Sequence, residues 1–140
     1  MPKKFTVLIC GGRNFGINKS EHDWILDRLD NCSMDWPKLL PDSEGNWLPD
    51  VRVISGKARG VDSCAIDWAV INWLDFKEYP ANWELYGKRA GPIRNEEMLI
   101  HECPDVVVAF QGGKGTAHMV KIATKAGIKI IQIEEYKDAN

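Results

Sequence analysis

The sequence predicts an α/β protein: an open, mostly parallel, doubly wound five-stranded sheet with helices on both faces, in a single domain over residues 1–140. Three observations carry that prediction. Short runs of β-branched and aromatic residues alternate with helix-like segments along the whole chain. The strongest run, Asp105 to Phe110 (DVVVAF), is apolar without alternation, as a strand covered on both faces should be. Glycine clusters follow the first, second and fourth strand-like runs.

The elements follow in order. Phe5 to Cys10 (FTVLIC) reads as a buried strand stopped by Gly11-Gly12. Ser20 is suited to cap a first helix whose apolar face is Trp24, Ile25, Leu26 and Leu29, ending near Cys32. Residues 33–50 carry Pro37, Pro41, Pro49 and Gly45, which predict an irregular insertion. Its Trp36, Leu39, Leu40, Trp47 and Leu48 must pack on something, either the same domain or a neighbouring subunit. Val51 to Ile54 is a second strand, and Val61 to Trp73 a second helix with Ala65, Trp68, Ala69 and Asn72 on one stripe. Asp75 to Tyr79 is a third strand ended by Pro80. A third helix is expected from about Pro92 to His101, with proline suited to the first turn. Thr116 to Ala126 is a helix stopped by Gly127, and Lys129 to Ile133 is the last strand. In the usual doubly wound order strand one lies beside strand four, and the ligand crevice opens between them.

Composition bounds the function. The 140 residues suit one domain, which at this length needs no disulfide or metal staple. Eighteen basic against 20 acidic side chains give a formal charge of -2, which excludes a globally basic nucleic-acid binder but not a local basic patch. No apolar run approaches the ~20 residues of a membrane span, and no leader pattern is visible, so a cytoplasmic protein is expected. The four cysteines, Cys10, Cys32, Cys64 and Cys103, form no CxxC pair and read as buried thiols. His101 and Cys103 lack a second pair of ligands, so no metal site is expected. Most of the six tryptophans are expected in the core.

The loops at the predicted ligand edge share a chemistry. Gly11-Gly12-Arg13, Ser55-Gly56-Lys57-Ala58-Arg59-Gly60, the stretch from Pro80 to Asn95, and Gly112-Gly113-Lys114-Gly115-Thr116 combine glycines with cations. Glycine lets backbone approach a ligand closely, and a helix N-terminus offers N–H groups and a positive dipole end to an anion. Arg13, Lys57, Arg59, Lys88, Arg89, Arg94 and Lys114 all fall here, so a small phosphate-bearing ligand is expected. The spacing is not GxxxxGK[ST], which disfavours nucleoside triphosphate hydrolysis by that route.

Single residues carry two readings each. Ser55 either donates to a phosphate or caps the second helix. The Arg94-Asn95 pair either grips a phosphate and a ribose hydroxyl or braces a loop. Trp83 either stacks on a base or plugs the sheet edge. Asp62 and Glu97 are candidate acid/base carboxylates; the alternatives are a helix-start residue for Asp62 and a solvated first turn for Glu96 and Glu97.

Taken in order, GGRNF, SGKARGVDSCAIDWA, FKEYPANWELYGKRAGPIRNEEML and VVVAFQGGKGTAHMV resemble the YspA/YpsA-related branch of the SLOG superfamily. That superfamily also holds the LONELY GUY phosphoribohydrolases and the Smf/DNA-processing protein A family. The resemblance spans nearly the whole chain apart from residues 33–50. It implies a Rossmann-like sheet and a nucleotide or NAD-derived, ADP-ribose-type ligand at the motif edge, with no further cofactor. It also implies self-association, as relatives tend to assemble. LONELY GUY enzymes carry PGGxGTxxE, whose glutamate assists cleavage of the N-glycosidic bond. Gln111 stands here at the proline position and Met119 at the glutamate position, and methionine cannot activate water. His118 adjoins it but is expected to point about a hundred degrees away around the helix.

Three functions follow. The first is a nucleotide or ADP-ribose binding module, with Gly11, Gly12, Arg13, Ser55, Gly56, Lys57, Arg59, Gly60, Arg94, Asn95, Gly112, Gly113, Lys114, Gly115 and Thr116 around the ligand and Trp83 as the stacking candidate. The second is a nucleotide N-glycosidase using Asp62 or Glu97. The third, ranked below the first, is single-stranded DNA binding as in Smf-like relatives. Small size would suit a phage or bacterial accessory protein.

Overall fold

The computed structural model describes residues 4–36 and 50–137. Its strands are β1 (Phe5–Cys10), β2 (Val51–Ser55), β3 (Asp75–Glu78), β4 (Val106–Ala109) and β5 (Lys129–Gln132). The helices are α1 (Lys19–Ser33), α2 (Val61–Ile71), the single turn α3 (Trp83–Tyr86), α4 (Ala90–Glu102) and α5 (Lys114–Lys125). The strands form one sheet in the order β3-β2-β1-β4-β5 with every pairing parallel. Strand one therefore does lie beside strand four, as the sequence predicts, and both neighbours of β1 are reached by crossovers.

Both faces of β1 are apolar because both are covered. Phe5, Val7 and Ile9 face α1 and α2, packing with Ile25, Leu29, Val61, Ala65 and Trp68. Leu8 and Cys10 face α4 and α5, packing with Met98, Met119 and Ala123. Residues of a strand alternate between the faces, so this double burial is why β1 shows no polar alternation. The two outer strands are much more exposed, β3 most of all.

Four local expectations are corrected. The cap of α1 is Asn18, not Ser20: Asn18 Oδ1 accepts from Glu21 N at 2.8 Å, and Glu21 reaches back to accept from Gly16 N at 2.9 Å. Helix α4 starts at Ala90, before Pro92, and a 3-10 turn over Gly87–Arg89 leads into it from α3, so 80–95 is not one loop. Trp73, which follows α2 with φ 58°, is 95% exposed, while Trp36 and Trp68 are buried edge to face in the core. Cys103 is exposed, since it closes α4 in the left-handed region at φ 45°. Trp36 settles against Phe5 of the same chain; the remaining apolar residues of the insertion, Leu39 to Leu48, lie outside the described residues.

The crevice is fixed where the first two loops meet. Gly60 takes φ 79°, and a Cβ there would lie 2.5 Å from Gly12 O and 2.6 Å from Phe15 O. Val61 N donates to the same Gly12 carbonyl at 3.2 Å, locking β1's exit against the start of α2. Gly60→Ala is expected to destabilise the fold by roughly 2–3 kcal/mol, measured as the shift of the urea unfolding midpoint; an unchanged midpoint would refute this.

Candidate functional site

A cavity of about 900 Å³ opens at the carboxyl ends of β1 and β4, the topological switch point of the sheet. Gly11, Gly12 and Arg13 from the first loop face Gly112, Gly113, Lys114 and Thr116 from the fourth across it. Gly12 N donates to Gln111 O at 2.9 Å, so the two loops are joined at their base. Gly56, Ala58 and Asp62 supply one wall; Arg94, Asn95 and Met98 of α4 and His118 and Met119 of α5 supply another. Trp83 and Lys88 stand at the margin.

The glycines of this site divide into two kinds. A Cβ on Gly11, Gly56 or Gly112 would come within 2.3–2.7 Å of a neighbouring side chain. These residues are small because the loops pack on one another. A Cβ on Gly113 or Gly115 would meet nothing within 4 Å. Gly113 is the N-cap of α5 and makes no side-chain capping bond, and Gly115 lies in the helix's first turn. Glycine suits an N-cap better than alanine does, which accounts for Gly113, but at Gly115 it lowers helix propensity by up to about 1 kcal/mol, and no contact among the described residues requires it. At these two positions the backbone of the α5 start is uncovered beside the cavity.

Arg94 and Asn95 are built into the walls. Arg94, half-buried, donates from Nη1 to Gly56 O and, at 3.4 Å, to Tyr79 O, and from Nε to Asn95 Oδ1 at 3.2 Å. Burial lowers its pKa, and the nearby Asp62 and Cys10 pull the other way. Asn95, 5% exposed, donates from Nδ2 to Gly115 O at 3.2 Å. The pair therefore braces both the second loop and α5 through hydrogen bonds.

Asp62 lies in the first turn of α2, 6% exposed. Its Oδ2 accepts from Ala58 N at 3.2 Å. Burial pushes its pKa up to about 6, against the opposing pulls of that N–H and of Arg94. Cys10 beside it is pushed up to about 12, chiefly by burial and further by Asp62, so it is a neutral thiol and no nucleophile at neutral pH.

Other expected site residues lie elsewhere. Ser55 is fully buried, and its hydroxyl donates to Asp62 O at 3.0 Å; it does not line the cavity. Arg59 is turned back to brace the first loop, donating to Arg13 O at 3.2 Å and to Asn14 Oδ1. Lys57, at φ 59°, and Gly60 also stay outside the lining. Glu97 is exposed on α4 away from the cavity, with its charge acting on Tyr79, and Glu96 is exposed too. Trp83 is 54% exposed; its ring reaches over Gly91, where a Cβ would lie 3.6 Å from Cη2, leaving it part packing and part accessible. Sequence reasoning set His118 aside, yet it lines the cavity with Met119, because α4 and α5 converge on that side. Glu21 and Asn14 also line it without having been singled out. Asn14 stands inside the GGRNF motif, where its polar side chain was a signal, whereas Glu21 lies in α1 outside every glycine motif.

A family model described as the YspA, cpYpsA-related SLOG family matches residues 5–86, more than half of the chain. The chain belongs to this SLOG family. It is also similar to the Gene 61 protein of Mycobacterium phage D29, with 42% identity over 86 residues covering 56% of this chain and 68% of that protein. The family match spans β1 to β3 and the first two glycine loops, so Arg94, Asn95 and the α5 turn lie beyond it. Among the described residues, no helix is long and apolar enough to cross a membrane.

The raised Asp62 carboxyl gives a signature in stability. Its folded pKa, about 6, exceeds its ordinary 3.8, so the folded state binds more protons between those values. Stability contributed by this group is full below about pH 4, falls as pH rises to about 6 and is then level. The fall is expected to be of order 1–3 kcal/mol, and urea titrations at a series of pH values should show it in the wild type and not in Asp62→Asn. Parallel pH profiles for the two proteins would contradict this.

Proposed function

We propose that this SLOG domain binds a nucleotide or ADP-ribose-type ligand, with its phosphate on the first turn of α5. The observation that carries the reading is Gly115, in the first turn of α5, which faces open space and has no packing reason among the described residues to be glycine; the cap residue Gly113 before it is equally uncovered. Bare N–H groups at a helix start, with the positive end of the dipole behind them, suit a phosphate. Arg13, Lys88 and Lys114 are exposed around the same cavity and supply the countercharge. The volume of about 900 Å³ falls in the range of small-molecule sites. Cations gathered on one cavity favour a small ligand over a long single strand, for which a continuous basic track is the usual design.

Gly115→Ala separates binding from folding. It is expected to leave the unfolding midpoint unchanged or slightly raised, while weakening AMP and ADP-ribose binding about tenfold or more, read by calorimetry. Lys114→Ala should weaken both ligands and flatten the salt dependence of binding. Wild-type protein that binds neither ligand, or only a single-stranded oligonucleotide, refutes the reading.

A second reading rests on Asp62. A carboxyl of pKa about 6 in the cavity wall exchanges protons near neutrality, as a general base for water should. In N-glycosidic hydrolysis it would take a proton from water as the oxygen bonds to the sugar's anomeric carbon, while the breaking C–N bond leaves its electron pair on the base. Chromatography of nucleoside monophosphates after incubation tests this: release of free base by the wild type and at least a hundredfold less by Asp62→Asn support it. Unchanged substrate with the wild type leaves binding as the function.

A further inference from the structure

The hydrogen bonds around Asn95 determine more than the position of α5. Asn95 Oδ1 accepts from Arg94 Nε at 3.2 Å, and arginine can only donate. Which end of the Asn95 amide is oxygen is thereby fixed. Its Nδ2 then faces two partners, Gly115 O at 3.2 Å and His118 Nδ1 at 3.1 Å. An amide nitrogen only donates, so His118 Nδ1 must accept and carries no proton. A neutral imidazole in that state holds its hydrogen on Nε2. His118 lines the cavity, and among the described residues no hydrogen bond engages that Nε2.

Position on the helix decides what this donor meets. His118 lies four residues beyond Lys114, about 6 Å further along the axis from the phosphate-facing turn. Met98 and Met119, both nearly fully buried and apolar, line the same cavity from α4 and α5. A charged phosphate is poorly served beside two thioethers, whereas the uncharged sugar and base of a nucleotide suit that wall.

We propose that His118 is a specificity-determining residue, donating from Nε2 to a neutral acceptor on the sugar–base portion of the ligand, and that Asn95 is the positioning residue that fixes its tautomer. The proposal rests on the nucleotide-binding reading above. It assigns the ligand a direction: phosphate on the α5 start, sugar and base toward the Met98–Met119 wall.

Two measurements test it. Long-range ¹H–¹⁵N correlation spectra of the wild type at about pH 8, above the ordinary histidine pKa of about 6.5, are expected to show His118 protonated on Nε2. In Asn95→Asp, whose carboxylate accepts instead of donating, the proton is expected on Nδ1. Calorimetry with AMP, ribose 5-phosphate and inorganic phosphate then reads the role. His118→Ala is expected to weaken AMP about tenfold and leave inorganic phosphate unchanged, with His118→Gln recovering part of the loss through its amide donor. A parallel loss for ribose 5-phosphate places the contact on the sugar, and an unaffected ribose 5-phosphate places it on the base; both support the proposal. An Nδ1-protonated wild type, equal AMP affinity in His118→Ala, or an equal loss for inorganic phosphate overturns it. Wild-type protein that binds neither AMP nor phosphate overturns the underlying reading itself, and the role of His118 with it.

Discussion

The site depends on one buried pair, Arg94 and Asn95, on the inner face of α4. A guanidinium that has lost much of its water must be compensated by hydrogen bonds. Arg94 finds them on Gly56 O and Tyr79 O, the exits of β2 and β3, and on Asn95. Asn95 passes the constraint on to Gly115 O and His118. Loops from distant parts of the chain are thus held by one dipeptide, and the cavity has a shape before any ligand arrives.

Close backbone contact completes the frame. Gly60 admits the carbonyls of Gly12 and Phe15, and Gly112 rests against Gly12 N and Thr116. Side chains at these positions would push the loops apart and widen the crevice. The same logic isolates Gly115, where none of the described residues uses the space and no cap position calls for glycine.

The fold was legible because its periodicities are unambiguous. A run such as DVVVAF has few alternatives to a doubly covered strand, and glycine-stopped strands alternating with helices leave few topologies. The strand order and the place of the crevice followed from handedness and the usual winding alone. Local boundaries were less legible. Ser20 and Asn18 are equally good caps by type, and only the reach of Glu21 back to Gly16 decides between them. The basic character of the edge was read correctly, but not which cations face inward. Arg13 and Arg59 look alike in sequence, yet the Arg59 side chain is spent on Arg13 O and Asn14. Glu97 and His118 failed in opposite directions for one reason. Each was judged on its own helix, whereas the convergence of α4 with α5 determines what lies against the cavity.

The formal charge of -2 can now be placed on the surface. Several acidic side chains are paired outside the crevice: Glu102 and Asp75 with Arg52, Asp75 with Lys4, Glu134 and Asp27 with Arg28. Such exposed or half-exposed pairs add little stability, but they neutralise cations that would otherwise compete for an anion. Arg13, Lys88 and Lys114 stay exposed on the cavity. Within the cavity wall the buried Asp62 has a pKa near 6, so at mildly acidic pH it is partly neutral and subtracts less than a full charge from the cationic rim. As pH rises it ionises and its repulsion of a phosphate grows. The cavity thus sets exposed cations at its edge against a buried carboxyl whose negative charge grows as pH rises.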